Sequence, residues 1–327
     1  MIETAVESAL QAFPLARPSV VRRFEGFRNE IWLVEDGGAR YVLRRNLQHR
    51  NAERIAFQVR FQQHLLRQRF PTSDVVETRS GGPFAVDGEG VPWVLFTYVE
   101  GEEFDFARPA QVLEAARRLA EFHTVAASFT EPAVLVAYQR PYREWWSGAE
   151  ENLAALEEMY AEAGVDDELA FLREFWRGLL AEWPLERVDA LTQGWVYGDY
   201  HGRNMVFAGD ELRGLFDFDD IERGPLIYDV SQGVQKFGRE GRGSLTIREE
   251  VACEFVAAYA RERPLSVEER AALPMLVAMN FPPDVRYHRY CRDERGENIV
   301  ARLRREVASM RRLGEEMVRI GPALRDA

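Results

Sequence analysis

The patterning of the sequence is that of an α+β protein of two lobes. Residues 20 to 98 are dense in short alternating segments bounded by Gly and Asp turns. After Gly101 the pattern changes to helical periods. The length, 327 residues, exceeds what one small core needs and suits two. A chain that is β-rich first and mostly helical afterwards is an α+β arrangement. The predicted division is a first lobe over 1–98 and a helical lobe over 99–327.

Taken in order, "MIETAVESALQAF" is acidic and amphipathic and lacks the basic start and apolar centre of a signal peptide, so it reads as a surface helix. "EIWLVED" (30–36) alternates, Asp36-Gly37-Gly38 marks a turn, and "RYVLRRN" (40–46) returns, which is a β-hairpin. Residues 51–69 place Ile55, Val59, Leu65 and Leu66 at roughly helical spacing. Residues 80–101 read as two strands split by Asp87-Gly88-Glu89-Gly90, which completes a small antiparallel sheet with one helix. Helices follow over 107–127, 148–163, 166–182, 247–262 and 295–318, the last with Val300, Leu303, Val307 and Met310 on one stripe. The exception is 194–219, where two short strands around a turn are expected, and Pro282-Pro283 breaks the chain before the last helices.

Composition narrows the classes of function. A net charge of −12 disfavours nonspecific nucleic-acid binding, which needs a basic footprint. No stretch approaches the roughly 20 apolar residues that cross a bilayer, so no membrane partner is expected. The two cysteines, Cys253 and Cys291, form no CxxC pair, which argues against a zinc site and for a reducing, cytoplasmic setting. Lys236 is the sole lysine among 42 basic residues, so any chemistry that needs lysine has one candidate.

The segment "VYGDYHGRNMVF" (196–207) sets Asp199, His201 and Asn204 on a polar loop between apolar residues. Each alone reads as a turn residue. Four residues separate Asp199 from Asn204, and Asp217 follows thirteen residues after Asn204 in "LFDFDD". Protein kinases space H-R-D-x-x-x-x-N and D-F-G in this manner. Phosphoryl transfer needs a carboxylate at the attacking hydroxyl and hard oxygen ligands for Mg²⁺, which accounts for the residue types. Asp217 stands between Leu215, Phe216 and Phe218, and a carboxylate buried there is costly unless paired or metal-bound.

The chain resembles the aminoglycoside phosphotransferase and choline kinase family, which has a protein-kinase-like fold. "YGDYHGRNMVF" looks like that family's H-G-D-x-H-x-x-N loop, and "LFDFDDIERGPLIYDV" looks like its metal-binding segment. "FEGFRNEIWLVE" is similar to its nucleotide loop, "LFTYVEG" to its hinge and "RLAEFHTV" to its helix ending in Leu-x-x-x-His. The likeness covers most of 20–235. It implies ATP as phosphate donor and Mg²⁺ as cofactor, Asp199 as catalytic base, and Asn204 and Asp217 as metal ligands. It also implies Gly26 and Asn29 near the phosphates, backbone groups around Thr97 and Val99 at adenine, and Asp229 as a brace of the loop. His201 would mainly shape the loop.

Two departures stand out. Arg44 occupies the family's lysine position in "YVLRRN", and Gln58 falls where its helix glutamate belongs. Glu53 lies five residues earlier, about 140° around a helix, and cannot replace it. Arg44 is still expected to supply a permanent charge and a planar fork for phosphate oxygens, with the Gln58 amide to steady it. Tyr197 replaces the first histidine of H-G-D, a supporting position.

The resulting expectation is an ATP- and Mg²⁺-dependent kinase acting on a hydroxyl of a small molecule such as an aminoglycoside, choline or homoserine. Its rivals are a nucleotide-binding pseudokinase or scaffold, a protein Ser/Thr kinase of the same fold, and, more weakly, a metal-dependent phosphohydrolase. Asp219 and Asp220 read equally as metal or substrate contacts and as solvated carboxylates. Trp145, Trp146, Tyr138 and Tyr142 read as acceptor-pocket or core residues, and Lys236 as a surface residue. His49, His64, His123 and His288 carry no partner signal, and none marks the oligomeric state.

Overall fold

The computed structural model describes residues 2–24, 29–47, 50–135, 140–279 and 282–327. In chain order the first elements are α1 (Ile2–Gln11), β1 (Ser19–Phe24), β2 (Glu30–Asp36), β3 (Ala39–Arg45), α2 (Ala52–Arg67), β4 (Val75–Val76), β5 (Ala85–Val86), β6 (Pro92–Thr97) and β7 (Glu102–Glu103). The helices α3 (Pro109–Ala126), α4 (Tyr142–Ser147), α5 (Ala149–Met159), α6 (Asp166–Glu182) and α7 (Leu185–Asp189) follow. Then come β8 (Gln193–Val196), β9 (Met205–Ala208), β10 (Glu211–Leu215) and β11 (Glu222–Pro225). The chain ends with α8 (Ile227–Gly238), α9 (Glu249–Glu262), α10 (Val267–Met279), α11 (Val285–Asp293) and α12 (Ile299–Asp326).

The chain clusters into two compact units. One takes Met1–Glu103, Ser128–Val136 and Arg203–Asp219, and the other takes Phe104–Ala127, Ala137–Gly202 and Asp220–Ala327. The α+β fold class is borne out.

In the first unit the described strands form an antiparallel sheet in the order β1-β2-β3-β6-β4, with β5 also on β6. The expected alternation of "EIWLVED" gives way to three successive buried residues, Trp32, Leu33 and Val34. The reason is that both sheet faces are covered. Val6, Ala9 and Leu10 of α1 pack with Trp32, Val34, Leu43, Trp93 and Leu95, where Trp32 and Trp93 stack at 5.3 Å. Thus the first helix is a core helix on one face and not merely a surface one. On the other face, Ile55 and Val59 of α2 pack with Val75 and Val94. Period-two geometry puts Leu43 on the α1 side, and its neighbour Arg44, paired across β6 with Val94, on the α2 side. Asn51 caps α2, its side-chain oxygen accepting from the N–H groups of Glu53 and Arg54 at 2.8 and 3.2 Å.

The hairpin of β9 and β10 pairs with β7 and belongs to this first unit. Leu215 N–H donates to the Pro71 carbonyl at 3.0 Å, and Thr72 Oγ1 donates to the Leu215 carbonyl at 2.7 Å. These bonds fix the end of β10, immediately before Asp217.

Among the described residues the second unit is helical apart from the β8–β11 pair. The helix α12 buries the stripe Leu303, Val307, Met310 and Leu313 as its spacing required, while Val300 is half-buried. The helix α10 is not expected from its pattern. It buries Ala272, Leu273, Leu276 and Val277 against both α8 and α12 and carries Pro274 inside, so it lacks a one-sided stripe. No helix among the described residues is long and apolar enough to cross a membrane.

Candidate active site

The loop after β8 is built by its own glycine and by an acid from α8. Gly198 has φ +85°, and a Cβ there would lie 2.6 Å from the Asp220 carbonyl oxygen, so only glycine fits. The fully buried Asp229 carboxylate accepts the Tyr197 N–H at 2.6 Å and the Gly198 N–H at 2.9 Å. It also accepts from His123 Nε2 at 2.9 Å, which leaves His123 Nδ1 to accept the Tyr259 hydroxyl at 2.8 Å. Gln232 completes the frame: its Nε2 donates to the Gly198 carbonyl at 2.8 Å, and its Oε1 accepts the Tyr200 N–H at 3.0 Å. The bracing expected of Asp229 is present. His123 is a member of that frame that sequence reasoning missed, although the Leu-x-x-x-His ending of its helix was the available signal.

Asp199 therefore emerges from a rigid loop. Its side chain is about a third exposed, and Oδ2 lies 3.2 Å from His201 Nε2. Lys236, about two turns along α8 beyond Asp229 and expected at the surface, is half-buried. Burial pushes its ammonium down to about 8, against the pull of the nearby Asp199 charge.

Asn204 ends a short 3₁₀ turn, and its carbonyl accepts the Phe216 N–H at 2.9 Å, which sets it alongside the approach to Asp217. Asp217 corrects the sequence argument. Its side chain is 45% exposed, not buried among its apolar neighbours. The chain turns through a left-handed φ of +65° at this residue, an uncommon conformation for a non-glycine. Its neighbour Phe218 is the buried one and lies 6.0 Å from the Phe61 ring. Asn204 and Asp217 offer an amide oxygen and an accessible carboxylate, hard donors of the type Mg²⁺ takes alongside phosphate oxygens and water. Among the described residues no cluster of three His, Cys, Asp or Glu is poised for a metal ion.

Arg44 Nη1 is 3.5 Å from Asp217 Oδ1, and Arg44 Nη2 donates to Asp219 Oδ2. Asp219 is buried at 4% exposure, so it is not a solvated carboxylate at a strand end. Gln58 Nε2 donates to its Oδ1 at 3.1 Å, and Asn29 Nδ2 reaches Oδ2 at 3.3 Å. The fully buried Arg54 donates to the Asp219 and Val134 carbonyls. Gly26 lies outside the described residues. In the segment expected to be the hinge, Thr97 N–H donates to the Asp74 carbonyl at 2.9 Å and Tyr98 N–H to the Arg40 carbonyl at 3.0 Å, and Val99 is half-buried. Adenine would have to displace either bond to use those two amides.

The aromatic residues considered for an acceptor pocket are largely packing. Trp146 is buried, donates Nε1–H to the Trp183 carbonyl at 2.8 Å and lies edge-on to Trp176, while Trp145 lies 5.0 Å from the same ring. Tyr142 donates its hydroxyl to Asp189 at 2.8 Å. Tyr138 and His49 lie outside the described residues. His288 is buried between Tyr160 and Glu306, and His64 bonds Ser128.

The same fold is found in solved structures. The microcompartment-associated aminopropanol kinase superposes with a TM-score of 0.73 at 20% identity, over 98% of both chains. An aminoglycoside phosphotransferase from Alicyclobacillus acidocaldarius gives 0.66 at 17% identity, over 98% of this chain and 95% of that one. The chain belongs to the phosphotransferase enzyme family (APH), whose model matches residues 20–265. It is similar to the homoserine kinase of Rhizobium etli, 29% identical over 77% of this chain and 74% of that one. A homoserine kinase of Beijerinckia indica is 27% identical over 84% and 81%. The chain is thus a phosphotransferase of the APH family.

Proposed function

We propose that the chain transfers the γ-phosphoryl group of ATP, with Mg²⁺, to the hydroxyl of a small amino alcohol. The observation that carries this reading is the loop bearing Asp199, held rigid by Asp229, with Asn204 and Asp217 following at kinase spacing. In this reading Asp199 orients the acceptor hydroxyl and takes its proton, while the hydroxyl oxygen bonds the γ-phosphorus and the bond from that phosphorus to the departing ADP oxygen breaks. His201 fixes the Asp199 rotamer through the 3.2 Å contact. Asn204 and Asp217 would hold Mg²⁺, which neutralises phosphate charge when bound. Arg44 stabilises the phosphates. The acceptor class is supported by the relatives: homoserine and aminopropanol, the substrates in their names, are both short amino alcohols.

Release of ADP is measured with homoserine, aminopropanol, choline and an aminoglycoside as acceptors. Turnover is expected with an amino alcohol, and Asp199→Asn should abolish it while Mg·AMP-PNP still binds. Full activity in Asp199→Asn would refute the role of that residue. A second reading, a pseudokinase, draws on the replacement of the family's Lys and Glu by Arg44 and Gln58. Tight nucleotide binding without turnover on every acceptor, in the wild-type chain, would favour it.

A further inference from the structure

We infer that Asp219 is the positioning residue for Arg44, supplying from the segment after β10 the carboxylate that α2 lacks at Gln58. The inference rests on the kinase reading above, in which Arg44 meets the nucleotide phosphates. Arg44 sits on the α2 side of the sheet, and the helix residue facing it carries an amide and no charge. The Asp219 carboxylate closes that gap. Oδ2 accepts from Arg44 Nη2 and from Asn29 Nδ2, and Oδ1 accepts the Gln58 amide at 3.1 Å. A carboxylate only 6% exposed is costly unless paired and hydrogen-bonded, and here both oxygens have donors. Its main chain is also pinned, because the buried Arg54, one helical turn before Gln58, donates to the Asp219 carbonyl.

The arrangement explains two substitutions together. A glutamate at 58 would bring a second carboxylate within about 3 Å of Asp219, and like charges that close cannot both ionise cheaply. Glutamine turns the same contact into a donor–acceptor bond. Lysine at 44 would offer one point charge, whereas the arginine fork spans Asp219 with Nη2 and lies near Asp217 with Nη1. Arg44, Gln58 and Asp219 are therefore one unit, a relocated version of the family's ion pair.

The test is binding of AMP-PNP to the full chain by calorimetry, with Mg²⁺ titrated separately. Asp219→Asn should weaken AMP-PNP about tenfold, the loss of one charge-assisted partner, while the half-saturating Mg²⁺ changes less than about twofold. Moving the carboxylate back to the helix in Asp219→Asn/Gln58→Glu should restore affinity to within about threefold of wild type, a rescue that a merely structural aspartate would not give. Gln58→Leu keeps the charge but removes one orienting bond and should weaken AMP-PNP about threefold. It also decides the matter should Asp219→Asn fail to fold. Unchanged affinity in Asp219→Asn or Gln58→Leu, a double variant no better than the single, or a loss confined to the Mg²⁺ requirement would each overturn the inference. A wild-type chain that binds no AMP-PNP would instead sink the kinase reading beneath it.

Discussion

Lys236 shows how one side chain can couple stability to pH. Its folded pKa, pushed down to about 8 by burial, lies below the ordinary 10.5 of the unfolded chain. Below pH 8 both states carry the proton, and the folded state holds its charge where solvation is poor. Between about 8 and 10.5 the folded protein has released that proton while the unfolded chain retains it, so stability rises with pH over this window. Relative to Lys236→Met, the wild-type chain should be handicapped at pH 7, and the gap should close by pH 10. The check is the difference in urea midpoint at the two pH values, and a difference that does not move with pH would contradict the assignment. At the same scale, Asp217 teaches that neighbours in sequence do not fix burial. Leu215 and Phe218 are buried, yet Asp217 between them is exposed because the backbone enters the left-handed region there.

At the scale of elements, the segment from Tyr197 to Tyr200 is held by hydrogen bonds from α8. Asp229 and Gln232, three residues apart on α8, present their side chains to successive backbone groups of the loop. Gly198 allows the turn that makes these bonds. Gly198→Ala would force a side chain into φ +85° and onto the Asp220 carbonyl. It should cost about 1–3 kcal/mol or more in urea unfolding and lower turnover more than AMP-PNP affinity. Equal stability of the variant would show the loop to be more adaptable than its bonding pattern indicates. The helix α2 has a comparable role: capped at Asn51 and packed through Ile55 and Val59, it presents Arg54 and Gln58 to Asp219.

For the whole molecule, the residues assigned to nucleotide and metal are drawn from distant parts of the chain. Asn29, Arg44, Asn204, Asp217 and Asp219 all fall in one compact unit, although nearly two hundred residues separate the first from the last. Binding Mg·AMP-PNP to that unit should stabilise the protein by mass action. At a ligand concentration about 100 times Kd the gain is about 2.7 kcal/mol, a rise of several degrees in Tm. Chelation of Mg²⁺ or Asp217→Asn should remove most of the rise, and Asp199→Asn should leave it. A rise that survives both chelation and Asp217→Asn would exclude this metal assignment.

The α+β class, the hairpin of β2 and β3, the long helices and the family could be read along the chain, because period, turn chemistry and motif spacing are local properties. The sequence also pointed to Asp199, Asn204 and Asp217 as a set, since their spacing survives without coordinates. Other features depended on contacts between distant parts of the chain. That α1 covers one face of the sheet, and that α10 is a helix at all, depend on burial from several sides, which erases the one-sided apolar stripe. His123 gained its role only when α3 brought it to Asp229. Asp219 could be read in sequence as a solvated carboxylate because the donors that bury it, Asn29, Arg44 and Gln58, lie more than 160 residues away. Charge compensation in a folded chain is a matter of distance in space, and a linear sequence does not record it.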